Sequence, residues 1–185
     1  YCCQSLTSVI LPESVVSIGE KAFYHCFDLL FTEYKDGMYL GSKTNAYFAL
    51  IEIAQKNYHR YIAHEDTKII ACGVFRQLNY AEIIIIGDNV TTIEPEMFFD
   101  CKKLTIMVLG KGITSIGDSA FEACNRLASV YYLGTAEDWT EIEIASGNSN
   151  LTSATIYYYI EKEENVPTDG GHYWQYDEND DPAAW

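Results

Sequence analysis

The chain has 185 residues, 48% of them apolar, with 12 Lys and Arg against 27 Asp and Glu for a net charge of −15. An apolar half supplies a core and excludes a disordered acidic chain. The negative excess argues against nucleic acid, whose affinity rests on Lys and Arg displacing phosphate counterions. No apolar run approaches the ~18 residues of a membrane-spanning helix.

Tyr1-Cys2-Cys3 lacks the basic and apolar regions of a signal peptide. From Cys3, the spacing of Leu6, Val9 and Leu11 predicts a short strand, followed by a turn at Pro12. Val15 and Ile18 come next, then Gly19 ahead of Ala22-Phe23, which predicts a short helical turn; Cys26 closes the unit 23 residues after Cys3. The same interval separates Cys101 and Cys124, and Leu104, Leu109, Ile113, Ile116, Gly117, Ala120 and Phe121 recur at matching offsets. Another unit runs from Leu78 through Val90, Ile93 and Phe98, while Ile70 to Phe75 is the tail of one before it. A last, incomplete unit runs from Cys124 to Tyr132. A period of 20 to 50 residues means that each unit buries its apolar face only by stacking on its neighbours. Four of the six cysteines fall at one repeat position, which predicts a row of buried, reduced thiols acting as small hydrophobes.

Between Cys26 and Leu78 lie 52 residues where one period would use 23. There, Phe31 to Gly41 predicts two strands around the Asp36-Gly37 turn, the strongest short hairpin signal. Ala46 to Ile53 and Tyr58 to Ile62 are further strand candidates. After Gly134 the period stops, and Thr135-Ala-Glu-Asp138 predicts a capping box opening a short helix. Ala154 to Tyr159 and His172 to Tyr176 read as two strands separated by a loop with Pro167 and Gly170-Gly171. The expected organisation is therefore repeats at 1–30 beginning mid-repeat, a β-hairpin insertion at 31–66, repeats at 67–134 and a capping segment at 135–185. An array that begins mid-repeat also predicts a longer solenoid and an adhesive N-terminal face.

The pattern Leu-x-x-Val-x-Leu…Val-x-x-Ile-Gly-x-x-Ala-Phe-x-x-Cys at Leu6 to Cys26 and Leu104 to Cys124 resembles the BspA-like leucine-rich repeats of bacterial and protist surface proteins. The resemblance covers residues 1–30 and 67–134. It implies a β-rich, leucine-rich-repeat-like solenoid of short strands and short helical turns, interrupted by a β-hairpin insertion and closed by a C-terminal β cap. It also implies a non-enzymatic module, extracellular or at the cell surface, that serves adhesion or protein binding.

A search for chemistry leaves little. His59 and His64 could approach one another, but no third metal ligand lies nearby in sequence, and no Cys-x-x-Cys occurs. No Gly-x-Ser-x-Gly elbow and no phosphate-cradling loop is present. The acidic run Asp177 to Asp181 lacks the glycine of a calcium loop and reads as a solvated face. No enzyme, metal or cofactor is expected.

Alternation along a strand sends every second side chain outward. If Leu6, Val9 and Leu11 point inward, the outer positions hold Ile10, Ile83, Ile85, Ile106, Val108 and Tyr131. An apolar outer row marks a contact site unless the insertion or the C-terminal strands fold over it. Three readings follow. The first is a protein-binding module using this row. The second is a carbohydrate-binding accessory module using Trp139, Trp174, Tyr157 and Tyr159. The third is a structural stalk of a larger surface protein.

Overall fold

The computed structural model describes residues 2–161, 167, 170–179 and 181–184. Its strands are short because each crosses only one face of a coil before the chain turns. The first is β1 (Thr32–Tyr34), followed by β2 (Gly37–Leu40), β3 (Ala49–Ile53), β4 (Arg60–Ile62) and β5 (Ile69–Ile70). The regular array holds β6 (Ile83–Ile86), β7 (Thr92–Ile93), β8 (Ile106–Leu109), β9 (Ser115–Ile116) and β10 (Ser129–Tyr132). Beyond it lie α1 (Ala136–Thr140), β11 (Glu143–Ile144), α2 (Ser149–Thr152), β12 (Thr155–Tyr159), β13 (Tyr173–Tyr176) and β14 (Pro182–Ala184).

Three sheets result. The front sheet runs β14-β13-β12-β10-β8-β6-β4, the back sheet β11-β9-β7, and a side sheet β1-β2-β3-β5. In the front sheet Arg60 pairs with Ile83, Ile83 with Ile106 and Ile106 with Ser129, all parallel and in register with the 23-residue period. The inward positions Ile84, Ile86, Met107, Leu109, Val130 and Tyr132 form the core with Ile93 and Ile116 from the back sheet.

The turns that carry Ala-Phe take a more specific form than a helical turn. Each holds two residues in the left-handed region four apart: Lys21 and His25, Gly73 and Gln77, Glu96 and Asp100, Ser119 and Ala123. Between neighbouring turns, N–H groups of one reach carbonyls of the next: Glu96 to Asp118 (3.1 Å), Phe98 to Ala120 (2.9 Å) and Asp100 to Glu122 (2.9 Å). Inside this ladder the rings of Phe75, Phe98 and Phe121 stack at 5.6 and 4.8 Å between centroids. The thiols of Cys101 and Cys124 donate to the carbonyls of Phe75 and Phe98 at 3.0 and 3.1 Å. Gly117 is required by close approach: a Cβ there would lie 2.5 Å from the Pro95 nitrogen.

The β1–β2 hairpin forms, but its turn lies one residue earlier than expected: Tyr34 pairs with Gly37, so Lys35, in the left-handed region, and Asp36 make the turn and Gly37 opens β2. The array, however, resumes earlier than residue 67. β4 occupies the front-sheet rung one period ahead of β6, so Arg60–Ile62 belongs to the solenoid sheet rather than to the hairpin. The aromatic Tyr61 fills that rung's inward position and is buried. At the other end the coils continue past 134. β11 extends the back sheet beside β9, and β12 extends the front sheet beside β10. Thr135 and Asp138 form the expected reciprocal capping box of α1.

Candidate functional site

The outer row divides into a covered part and an open part. On the front sheet Ile85, Val108 and Tyr131 are 8%, 0% and 7% exposed, and they share an apolar cluster with the fully buried Trp174. Ile83 and Ile106 are half-buried at the edge of the same cluster, together with Ile62 of β4 and Tyr157, Tyr159 and Tyr176 of the C-terminal strands. Ile10 is not brought to this sheet and is 72% exposed. The six residues expected to form one face are thus split: five belong to the apolar cluster that includes the C-terminal strands, and one stands apart on the first coil.

The cover is the C-terminal hairpin. The Trp174 indole meets Tyr131 edge-on at 5.2 Å, and its Nε1–H donates to the Tyr132 carbonyl at 3.0 Å. At the far edge of the sheet, Arg60 on β4 forms an ion pair with Asp181, just before β14. Three strands lie between β12 and β4. Contact at both edges therefore requires the hairpin to lie back across the outer face. The turn that makes this possible uses the acidic run: Asp177 accepts N–H bonds from Asn179 and Asp181 at 2.8 and 2.9 Å. Those bonds hold the Asp177 carboxyl below the usual range. Asp180 lies outside the described residues.

The aromatic set proposed for sugars is similarly occupied. Trp174 offers no open ring face, because Tyr131, Tyr159 and Tyr176 all pack against it. Trp139 is half-buried edge-on to Tyr132 at 5.3 Å.

No catalytic arrangement emerges from the titratable residues. His59 pairs with Glu82 at 3.0 Å, whereas His64 stacks on Tyr47 at 3.7 Å, so the two histidines serve different contacts. Among the described residues no group of three His, Cys, Asp or Glu could hold a metal ion, and no helix is long and apolar enough to cross a membrane. All six cysteines are unpaired. Cys26, Cys101 and Cys124 are buried as expected, but Cys3 is exposed. The neighbouring Cys124 thiol, together with burial, pushes the Cys101 thiol up, away from nucleophilic reactivity.

Two features carry no sequence signal. Asn148, in a polar stretch that reads as loop, is buried and closes the last coil: its Oδ1 accepts from Phe121 N–H at 3.0 Å, and its Nδ2 donates to the Gly117 and Ala145 carbonyls at 2.9 Å. The second is a concentration of exposed large apolar residues on the first coil. Ile10, Val16, Tyr24, Phe27 and Leu30 lie there, against Tyr58 and Tyr80 elsewhere among the described residues. Phe27 and Leu30 are 72% and 76% exposed, and the rings of Tyr24, His25 and Phe27 form a continuous stack.

Comparison with known proteins places the repeats. No curated protein is significantly similar to the chain. Solved structures similar to it include a leucine rich cell surface protein from Faecalibacterium prausnitzii, with 20% identity and a TM-score of 0.35 over 75% of this chain and 51% of that one. A leucine-rich repeat protein from Bacteroides ovatus is 15% identical with a TM-score of 0.38, over 85% of this chain and 56% of that one. The chain thus spans about half the length of these structures. A family model describing the BspA type leucine rich repeat region matches residues 1–39 and 52–163 in six copies, leaving out only 40–51 between them. With its ladder of 23-residue coils and a match over most of its length, the chain belongs to the BspA-type leucine-rich repeat family.

Proposed function

We propose that the chain is a non-enzymatic protein-binding or adhesion module, displayed at a cell surface or secreted, that contacts its partner through the first coil. The observation that carries this reading is the uneven distribution of apolar surface. Five large apolar side chains stand exposed between Ile10 and Leu30, while the front-sheet row lies under the chain's own hairpin. Exposed large apolar side chains concentrated in one coil mark interaction sites, and solenoids offer extended surfaces that need no catalytic chemistry. The extracellular placement draws on family membership and on the description of the Faecalibacterium prausnitzii protein as a cell surface protein.

A carbohydrate-binding role is disfavoured by the buried Trp174 and by Tyr157, whose ring stacks on Tyr131. A purely structural stalk is disfavoured by the exposed Tyr24-His25-Phe27 stack, which a spacer has no use for.

The test is retention of the purified chain on surfaces coated with defined host and bacterial surface proteins, beside a glycan array. Retention by at least one protein, at least tenfold weaker for Phe27→Glu and Leu30→Glu with unchanged melting temperatures, is the expected result. Binding confined to glycans, or retention untouched by both substitutions, would overturn the reading.

A further inference from the structure

The Phe ladder and the turn-to-turn hydrogen bonds break at one place. At the corner of the coil, Cys72 N–H donates to the Ile18 carbonyl at 2.9 Å, so the first coil and the coil of residues 60–78 touch directly there. From that corner their turns separate and leave a cleft of about 380 Å³, a size that ordinarily takes a ligand. Ile18, Phe31, Ile51, Ala71 and Val74 give it an apolar floor, and Glu52, Lys56 and Arg76 lie among its lining residues.

The walls of the cleft are two halves of an interface seen complete elsewhere. In the regular coils Phe98 N–H donates to Ala120 O and Asp100 N–H to Glu122 O. The equivalent donors on the first coil are the N–H groups of Phe23 and His25, and the equivalent acceptors opposite are the carbonyls of Val74 and Arg76. Among the described residues no backbone hydrogen bond supplies a partner for the Phe23 and His25 N–H groups or for the Val74 and Arg76 carbonyls. The aromatic ladder stops as well. Among the described residues Phe75, fully buried, stacks on Phe98 and on no second ring, and Phe23, half-buried, lines the cleft.

We infer that this cleft binds a polypeptide segment of a partner protein, which adds as a surrogate turn between the first coil and residues 72–77 and packs one large aromatic side chain beside Phe23 on the apolar floor. Main-chain donors on one wall and main-chain acceptors on the other are the complement of a peptide backbone, which carries both at every residue. This is the logic of strand addition, in which backbone bonds give affinity and a side-chain pocket gives selectivity. Phe23 and the apolar floor of the cleft form the pocket. The inference rests on reading the chain as a protein-binding module, but it uses a different surface from the exposed stack around Phe27.

The test is an amide-resolved NMR titration with a synthetic peptide copying Thr114 to Asn125, with serine at the Cys124 position, and with the same peptide carrying alanine at the Phe121 position. Saturable shifts at Phe23, His25, Val74 and Arg76, with at least tenfold weaker binding of the alanine peptide, are expected. Ala22 is exposed and lines the cleft, so Ala22→Trp fills the cleft at little cost in melting temperature and is expected to abolish the shifts. Phe27→Glu leaves them intact even where it removes retention on protein-coated surfaces, which keeps the two readings separable. Equal binding of both peptides, absence of saturable shifts, or unchanged binding by Ala22→Trp overturns the inference.

Discussion

The first coil and the coils between Leu78 and Leu127 are written in the same motif, yet they are packed very differently. Gly117 sits against Pro95 so tightly that a Cβ would collide, whereas Gly19, at the equivalent position, has nothing within 4 Å. Cys124 is buried and bonded to the Phe98 carbonyl, whereas Cys3 is exposed. Phe98 stacks between two rings, while Phe23 is half-buried at the lip of a cleft. In a solenoid a residue's burial belongs to the interface between coils rather than to its own unit. The motif therefore specifies which side chains face inward, and the neighbour decides how much each one contributes.

The largest effects should come from removing what the comparison treats as shared core. Trp174→Ala deletes the ring that covers Tyr131 and strands the Tyr132 carbonyl, and it is expected to cost about 3–5 kcal/mol in chemical denaturation. Phe98→Ala should cost a similar ~3–5 kcal/mol, but Phe23→Ala only about 1 kcal/mol, since its ring is already partly in water. Equal losses at the two phenylalanines would break the comparison. Next, Gly117→Ala should destabilise by about 1–3 kcal/mol through the clash with Pro95. Gly19→Ala should be neutral within about 0.5 kcal/mol. Amide exchange sharpens the contrast without mutation: residues 83–132 should open only with global unfolding, and residues 2–30 through lower-energy local openings.

The smallest effect is expected from acid. Asp138 is held below its ordinary range by the N–H and hydroxyl of Thr135, and Asp177 by the N–H groups of Asp181 and Asn179. A folded-state pKa below the unfolded value gives stability that is present above the unfolded pKa, about 3.9 for Asp. That stability is lost as pH falls through the folded value. The melting temperature should thus decline below about pH 4, and Asp177→Asn should flatten part of that decline. Both carboxylates are exposed, so the change should be modest.

Much of the fold is legible in the sequence because the 23-residue period repeats the same inward side chains. The β1–β2 hairpin, apart from the exact residues of its turn, and the Thr135 capping box are equally legible, since each depends on a few adjacent residues. The rung at Arg60–Ile62 is not, because Tyr61 replaces the aliphatic residue that the inward position carries elsewhere. The outer row illustrates the other limit. Strand alternation correctly sends Ile85, Val108 and Tyr131 outward, but whether outward means solvent depends on a hairpin more than forty residues beyond Tyr131 in the chain. Nothing local to Val108 encodes the contact between Arg60 and Asp181 that holds that hairpin in place. The cleft beside Phe23 is invisible for the same reason: it is defined by hydrogen bonds that two distant turns do not make to each other.

The measurement that bears most directly on this account is the melting temperature of Val108→Glu beside that of Leu30→Glu. If the outer row is core beneath the hairpin and the first coil is the open surface, Val108→Glu buries an unpaired carboxylate and should lower the melting temperature by about 10 °C or more, while Leu30→Glu leaves it unchanged. A Val108→Glu variant as stable as the parent chain, with Leu30→Glu the one that melts early, would contradict it.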